Sequence, residues 1–324
     1  MTQVILQPSG NPIGRENFNN TITRQVDLNK VLSYIDNDDH KAYLKEIYID
    51  GLVPVWGVTP GKNNVNVSKW DKIDSGDITL FSGNKKIFAS GVVTYKFRAR
   101  ELAIGLWGYK TDEETWEYIY LLDEIKEHAI PVPKLNKLVG YASNNNIMGF
   151  SVLSEEKSTL ISEAFELNSN VYFPDVSEED FEDAIDVLDN SESLDVERKS
   201  KARKEQAFLR RYLFKNKKES TCAICNKEYP VEFLVAAHIK KRSHCTHEER
   251  LDYKNIVIPM CKFGCDELFE KGYLAVLNGK VKPLKRIKNS IIESYINEIV
   301  ANECSHCREE NEVYFNWHTE FHSI

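Results

Sequence analysis

The chain has 324 residues, 42% hydrophobic and 28% charged, with a formal charge of −8. This is long enough for two domains with separate cores and ordinary for a globular composition. No apolar run approaches the roughly 18–20 residues that span a membrane, and the start MTQVILQPSGNPIG lacks the basic and apolar regions of a signal peptide, which points to the cytoplasm.

Charge is unevenly placed. Residues 198–290 carry 23 Lys and Arg against 10 Asp and Glu, a net +13, which leaves −21 for the remainder. Residues 151–197 hold 15 acids against one base, Lys157. A basic block beside an acidic one is the pattern of a nucleic-acid-binding module on a soluble carrier. A solvated Lys-rich helix face accounts for 198–218, but not for bases that coincide with the cysteines further on.

In chain order, residues 1–20 are rich in Asn, Gly and Pro and read as a loose arm. Val26, Leu28, Val31, Leu32, Ile35 and Leu44 predict one or two short helices. GLVPVWGVTPG, DITLFSG and KIFASGVVTYKF, punctuated by Gly and Pro, predict strands. EETWEYIYLLDEI fits strand or helix, and EEKSTLISEAF fits a helix. Residues 174–197 form an acidic linker in which Phe181, Ile185 and Leu188 space out a short amphipathic helix; its charge is suited to mimic DNA and shield the basic module, against the plainer reading of a solvated linker. RKEQAFLRRYLF predicts a helix with Phe208, Tyr212 and Leu213 on one side and bases on the other.

All seven cysteines follow residue 220, six in CxxC or CxxxC pairs and Cys245 alone, and an odd, clustered set favours metal over disulfides. Cys222 and Cys225 with Cys261 and Cys265 predict one structural zinc with four thiolate ligands; buried free cysteines are the alternative. Between the pairs, His238 ends the apolar run FLVAA and opens into KKRS, Asn255 precedes IVIPM, and Asp266 starts DELFEKG. Phosphodiester hydrolysis needs an activated water, and a neutral imidazole can take its proton. It also needs a divalent cation such as Mg²⁺ on oxygen ligands, for which Asn255 and Asp266 qualify. Cys304, Cys307, His318 and His322 follow C-x2-C-x10-H-x3-H and are candidates for a second zinc, although the same segment fits a plain closing helix. His244, Cys245 and His247 stay unassigned.

RKEQAFLRRYLF, CAIC, LVAAHIKKRS, ERLDYKNIVIPMC and GCDELFEKG together resemble the HNH (ββα-metal) endonuclease domains of bacterial restriction enzymes over residues 203–276. The resemblance implies His238 as general base, Asn255 as the middle signature residue and Asp266 as the third; a one-residue slip puts Cys265 there instead. It departs from the family at Ala237, where many members carry a metal ligand, and in lacking the third His. Lys240, Lys241, Arg242, Arg210 and Arg211 are the expected phosphate contacts.

A small nuclease module contacts mostly phosphates, so selectivity is expected from the N-terminal half. Trp70, Gly76-Asp77, Ile78–Phe81 and Ile87–Val93 resemble PUA-superfamily modified-base readers of the EVE, YTH and SRA-like kind. That resemblance implies base flipping into an aromatic pocket, with Trp56, Trp70 and Trp107 as candidate walls against the commoner role of Trp as core, and Arg98 and Arg100 on the backbone. The expected architecture is α+β: a β-rich PUA-like barrel with flanking helices over 1–173, the acidic linker over 174–197, and a zinc-stabilised HNH domain over 198–324. The expected function is modification-dependent restriction of double-stranded DNA, with a homodimer for double-strand cutting. The rivals are a sequence-specific HNH restriction endonuclease and a non-catalytic zinc-stabilised DNA-binding regulator.

Overall fold

Strands that alternate their apolar side chains between two faces build the N-terminal half of the computed structural model, which describes residues 2–110, 113–173, 175–189, 195–286 and 288–323. The chain divides into two units, Met1–Asp175 and Val176–Ile324. None of the described helices is long and apolar enough to cross a membrane.

The first unit is a six-stranded sheet made of β1 (Val4–Pro8), β4 (Val55–Val58), β5 (Ile78–Gly83), β6 (Lys86–Arg98), β7 (Tyr118–Pro131) and β8 (Ser151–Val152), in the order β4-β7-β6-β5-β1-β8. A two-residue pair, β2 (Val26–Asp27) and β3 (Leu52–Val53), lies apart from it. The β6–β7 register shifts at three places and the β5–β6 register at Phe81/Ser82. Each such irregularity bends a strand and adds twist, so the sheet curls. Its edges, β4 and β8, do not pair with each other among the described residues, so the expected barrel is an open, curled sheet.

One face gathers Ile5, Trp56, Phe81, Val93, Tyr120 and Leu122. The opposite face is covered at one end by helices Leu28–Leu32, Asp38–Ile47 and Arg100–Trp107, through Val31, Leu44 and Leu102 on Ile119 and Leu121. At the other end, Val132–Leu138 and Glu155–Ala164 place Leu135 and Ile161 on Val4, Leu6, Ile78 and Leu80. The expected N-terminal arm is therefore wrong in part: β1 pairs parallel with β5 from Val4↔Ile78 onward, and Val4 and Ile5 are fully buried. A strand covered on both faces reads as a short continuous apolar run, and VILQP is too short to stand out beside Asn, Gly and Pro. Asp77 ties β1 to the turn before β5, its Oδ1 accepting from the Gln3 amide at 2.7 Å and its Oδ2 from the Asp74 amide at 2.8 Å.

The second unit begins at Val176, inside the expected linker. The acidic helix Glu178–Asp189 buries Phe181, Ala184 and Ile185, and Phe181 stacks on Phe208 of the basic helix Asp195–Phe214 at 4.3 Å. The linker residues 190–194 lie outside the described ones. Hairpin β9 (Glu219–Thr221)–β10 (Glu228–Pro230) precedes the antiparallel pair β11 (Leu234–His238) and β12 (Val257–Cys261), the short helix Cys265–Glu270 and hairpin β13 (Leu274–Leu277)–β14 (Lys280–Pro283). Helices Ser290–Ile299 and Glu312–His322 complete the unit.

Candidate metal centre and nucleic-acid face

Cys222 leaves β9 into a tight knuckle in which its amide donates to the Lys227 carbonyl and its carbonyl accepts from the Asn226 amide, both at 3.0 Å. Asn226 takes a φ of +56°, a conformation that Asn tolerates better than most residues. Cys261 ends β12, and its amide donates to the Cys222 sulfur at 3.3 Å. Cys265 opens the next helix just after Gly264, whose φ is +142° and whose added Cβ would press on the Tyr295 ring at 3.1 Å. The four sulfurs, all on buried residues, lie within 4.8 Å of one another.

That set fits zinc. Tetrahedral thiolate sites place sulfur about 2.3 Å from the ion, so sulfurs stand roughly 4 Å apart. Hydrogen bonding from Cys222 holds the Cys225 thiol down to about 6, whereas crowding by the other sulfurs pushes Cys222 and Cys265 up. Bound zinc would remove that competition by deprotonating all four.

The cage anchors the strand pair that carries His238. His238 is the last residue of β11, opposite Val257 in register, and Ile239 donates to the Ile256 carbonyl at 2.8 Å. The imidazole has no hydrogen-bond partner among the described residues, and burial with the charges of Arg242 and Arg250 lowers its pKa to about 4. It is neutral near pH 7 and able to accept a proton.

Asn255 donates to Asp252 Oδ1 at 2.8 Å and accepts from Arg308 Nη2 at 3.4 Å, and Tyr314 donates to Asp252 Oδ2 at 2.7 Å. Asn255 thus ties the short helix Tyr253–Ile256 to the C-terminal segment. Asp266 lies half-buried in the first turn of its helix, its pKa raised by burial and by Glu270 and Glu267. The cysteine set is the one group of three or more His, Cys, Asp or Glu ligands among the described residues. Asp266 and His238 belong to no such group, and the Asn255 side chain is held by Asp252 and Arg308.

Most of the expected phosphate contacts have other work. Arg210 donates to the carbonyls of Leu234 at 2.6 Å and Val231 at 2.8 Å, clamping the basic helix to β11. Lys240 is buried, holds both oxygens of Glu249 at 2.7 Å and lies over the Trp317 ring. Lys241 pairs with Glu270 at 3.2 Å, and Arg242 donates through Nε to the buried Glu205 at 2.7 Å. Arg211 is half-buried on the basic helix. A buried carbonyl or carboxylate needs a partner wherever it falls, and long cationic side chains supply one.

In the first unit, the three tryptophans are packing groups. Trp56 is 3% exposed and meets Phe18 and Phe81 edge-on. Trp70 donates from Nε1 to the Ile119 carbonyl at 3.2 Å. Trp107 donates to Thr21 Oγ1 at 3.3 Å and packs so closely that a Cβ on Gly57 would stand 2.9 Å from its ring. Arg98 and Arg100 both pair with buried Glu117. Among the described residues, the three rings are packed into the sheet and its helices rather than lining an open cleft. An open cleft of about 790 Å³ instead lies beside helix Pro12–Phe18, lined by Arg15, Asn19, Asn20, Arg24 and Asn84 among others. Arg15, Asn19 and Asn20 fell in the segment read as a loose arm, whereas Arg24 and Asn84 lie beyond it.

No family model and no curated protein matches this chain. Among solved structures, it is similar to the N-terminal domain of Thermococcus gammatolerans McrB bound to m5C DNA, at 16% identity and a TM-score of 0.37, over 51% of this chain and 98% of that one.

The second cysteine–histidine set does not assemble. His318 Nε2 lies 2.8 Å from the Phe269 carbonyl with its ring stacked on Phe269, and Cys304 and Cys307 sit in a turn whose thiols burial pushes up. The plain closing helix is the better description. Cys245 donates to the carbonyls of Lys241 at 3.3 Å and Lys240 at 3.6 Å, apart from the cage. Sequence reasoning missed Arg250 and left His247 unassigned. T-H-E-E was the available signal, since Thr246 and Glu249 form a capping box that starts helix His247–Leu251.

Proposed function

We propose that the chain is an endonuclease directed to DNA carrying a modified base, with the first unit reading the base and the second cutting the strand. The observation that carries the nuclease reading is the neutral His238 at the end of a strand pair whose other strand ends in the sulfur cage and leads into helix Cys265–Glu270. This is the strand, strand, helix order of the HNH resemblance. In this reading His238 takes the proton from an attacking water, and the nearby guanidinium charges of Arg242 and Arg250 favour the developing negative charge on the phosphate. The water oxygen bonds to phosphorus as the P–O3′ bond breaks, and a divalent cation such as Mg²⁺, for which the HNH resemblance implies Asn255 and Asp266 as oxygen donors, would neutralise the phosphate and the departing 3′ oxygen.

For base reading, the supporting observation is the Arg- and Asn-lined cleft of the first unit. Its amides can hydrogen-bond the edge of a flipped base while its arginines hold the flanking backbone. The test is cleavage of matched modified and plain duplexes by the wild-type chain and by His238→Ala, with Mg²⁺ present in one arm and omitted in another.

A further inference from the structure

Arg250 and His247 lie on helix His247–Leu251, and both turn their side-chain nitrogens to the acidic helix Glu178–Asp189. Arg250 Nη1 pairs with Asp189 Oδ1, His247 Nδ1 lies 3.0 Å from Asp189 Oδ2, and His247 Nε2 lies 3.5 Å from Asp186 Oδ1. One carboxylate thus spreads its two oxygens over a guanidinium and an imidazole, as a phosphate spreads its non-bridging oxygens. Arg250 also donates from Nε and Nη2 to the Arg242 carbonyl at 3.4 Å, which fixes it beside the segment leaving His238.

The helix is anchored elsewhere. Phe181 stacks on Phe208 and meets Tyr253 edge-on, Asp180 pairs with Lys204 at 3.1 Å, and Glu178 accepts from Tyr253. The acid–base contacts at Asp186 and Asp189 can therefore open without undocking the apolar face. The His247–Asp186 pair is the exposed one, at 47% and 66%, and holds weakly against a competing anion, whereas Arg250 and Asp189 are 17% and 21% exposed and form the firmer part of the contact.

We propose that Arg250 and His247 form a phosphate-binding site for the DNA strand beside His238, occupied in the free chain by Asp186 and Asp189 as a tethered competitor that the duplex displaces. The adjacency to cleavage rests on the nuclease reading; the binding site and its competitor do not.

The test uses the full-length chain in a His238→Ala background and measures Kd for a plain duplex of about 20 base pairs by fluorescence anisotropy. Asp186→Asn with Asp189→Asn should tighten binding about tenfold at moderate salt, and Asp189→Asn alone about threefold. Glu182→Gln with Asp183→Asn removes the same charge from exposed positions of the same helix and should change Kd less than twofold. Arg250→Gln should weaken binding and abolish the gain from the Asp186 and Asp189 pair. The proposal is overturned if the control pair tightens binding equally, if the Asp variants leave Kd unchanged or weaker, or if the gain persists with Arg250→Gln. Cleavage is not read here. A His238→Ala chain that still cuts DNA contradicts the nuclease reading and leaves the binding result standing.

Discussion

The two units solve the same problem of holding strands together by different means. In the first, β6 and β7 run 13 and 14 residues and are joined by other strands into one sheet with buried side chains on both faces. In the second, the strands are three to five residues long and occur in pairs. Isolated two-stranded hairpins are marginal in water, so the short pairs of the second unit lean on buried residues such as Leu234, Ile258, Phe269 and Phe315 and on cross-links: four thiols, the Arg210 clamp and the aromatic stack of Phe181 on Phe208. The cross-links concentrate part of the second unit's stability in single residues, whereas the curled sheet distributes it along long strands.

Removing the cage should break this contrast most severely. Chelation of zinc or Cys261→Ser should unfold the second unit, because zinc-binding free energy on the order of 10 kcal/mol is folding free energy in such sites. Hydrogen exchange should then rise sharply over residues 219–230 and 257–265 while residues 78–98 stay protected. Loss of protection in both units together would show that the cage is not a local cross-link.

Arg210→Ala comes next. It strips two buried carbonyls of charged donors, and a cost of about 3 kcal/mol is expected in the unfolding of the second unit. The salt slope of DNA binding should not change, which separates a clamp from a phosphate contact. A slope reduced by about one with stability unaltered would reinstate Arg210 as a DNA contact.

The pH effect is the smallest. His238 is held near 4, below its ordinary value of about 6.5, so the folded state resists the proton that the unfolded state accepts. Its contribution costs stability progressively as pH falls from about 6.5 to 4 and is absent above that window. The base form persists throughout the neutral range, so kcat/KM should show no acid limb between pH 5 and 8 from this group. An acid limb at about 6.5 that His238→Ala abolishes would contradict the buried, cation-flanked setting.

Much of the second unit was legible. Cysteine spacing located the cage, and FLVAAHIKK followed by NIVIPMC located the strand pair, because metal ligands and short apolar strands leave local signatures. Less was legible wherever a residue's role depends on a distant partner. Trp56, Trp70 and Trp107 looked like a base cage but serve the curled sheet, since large aromatics bury more area than any other side chains. Arg210 and Lys240 looked like phosphate contacts but satisfy carbonyls of 231 and 234 and the carboxylate of Glu249, partners set by tertiary packing. The acidic stretch looked like a linker, yet Phe181, Ala184 and Ile185 at helical spacing are buried, and Phe181 stacks on Phe208 of the second unit. VILQP was hidden in the supposed arm for the opposite reason, as a strand too short to announce itself.

The most direct measurement of the central claim is cleavage of one duplex sequence prepared with cytosine, methylcytosine, hydroxymethylcytosine or methyladenine, using the wild-type chain and a folded, zinc-loaded His238→Ala variant. One modified duplex should be cut at least about tenfold faster than plain DNA, and His238→Ala should lower that rate at least about a hundredfold. Equal cutting of all four duplexes would contradict the base-reading half, and undiminished cutting by His238→Ala would contradict the nuclease half.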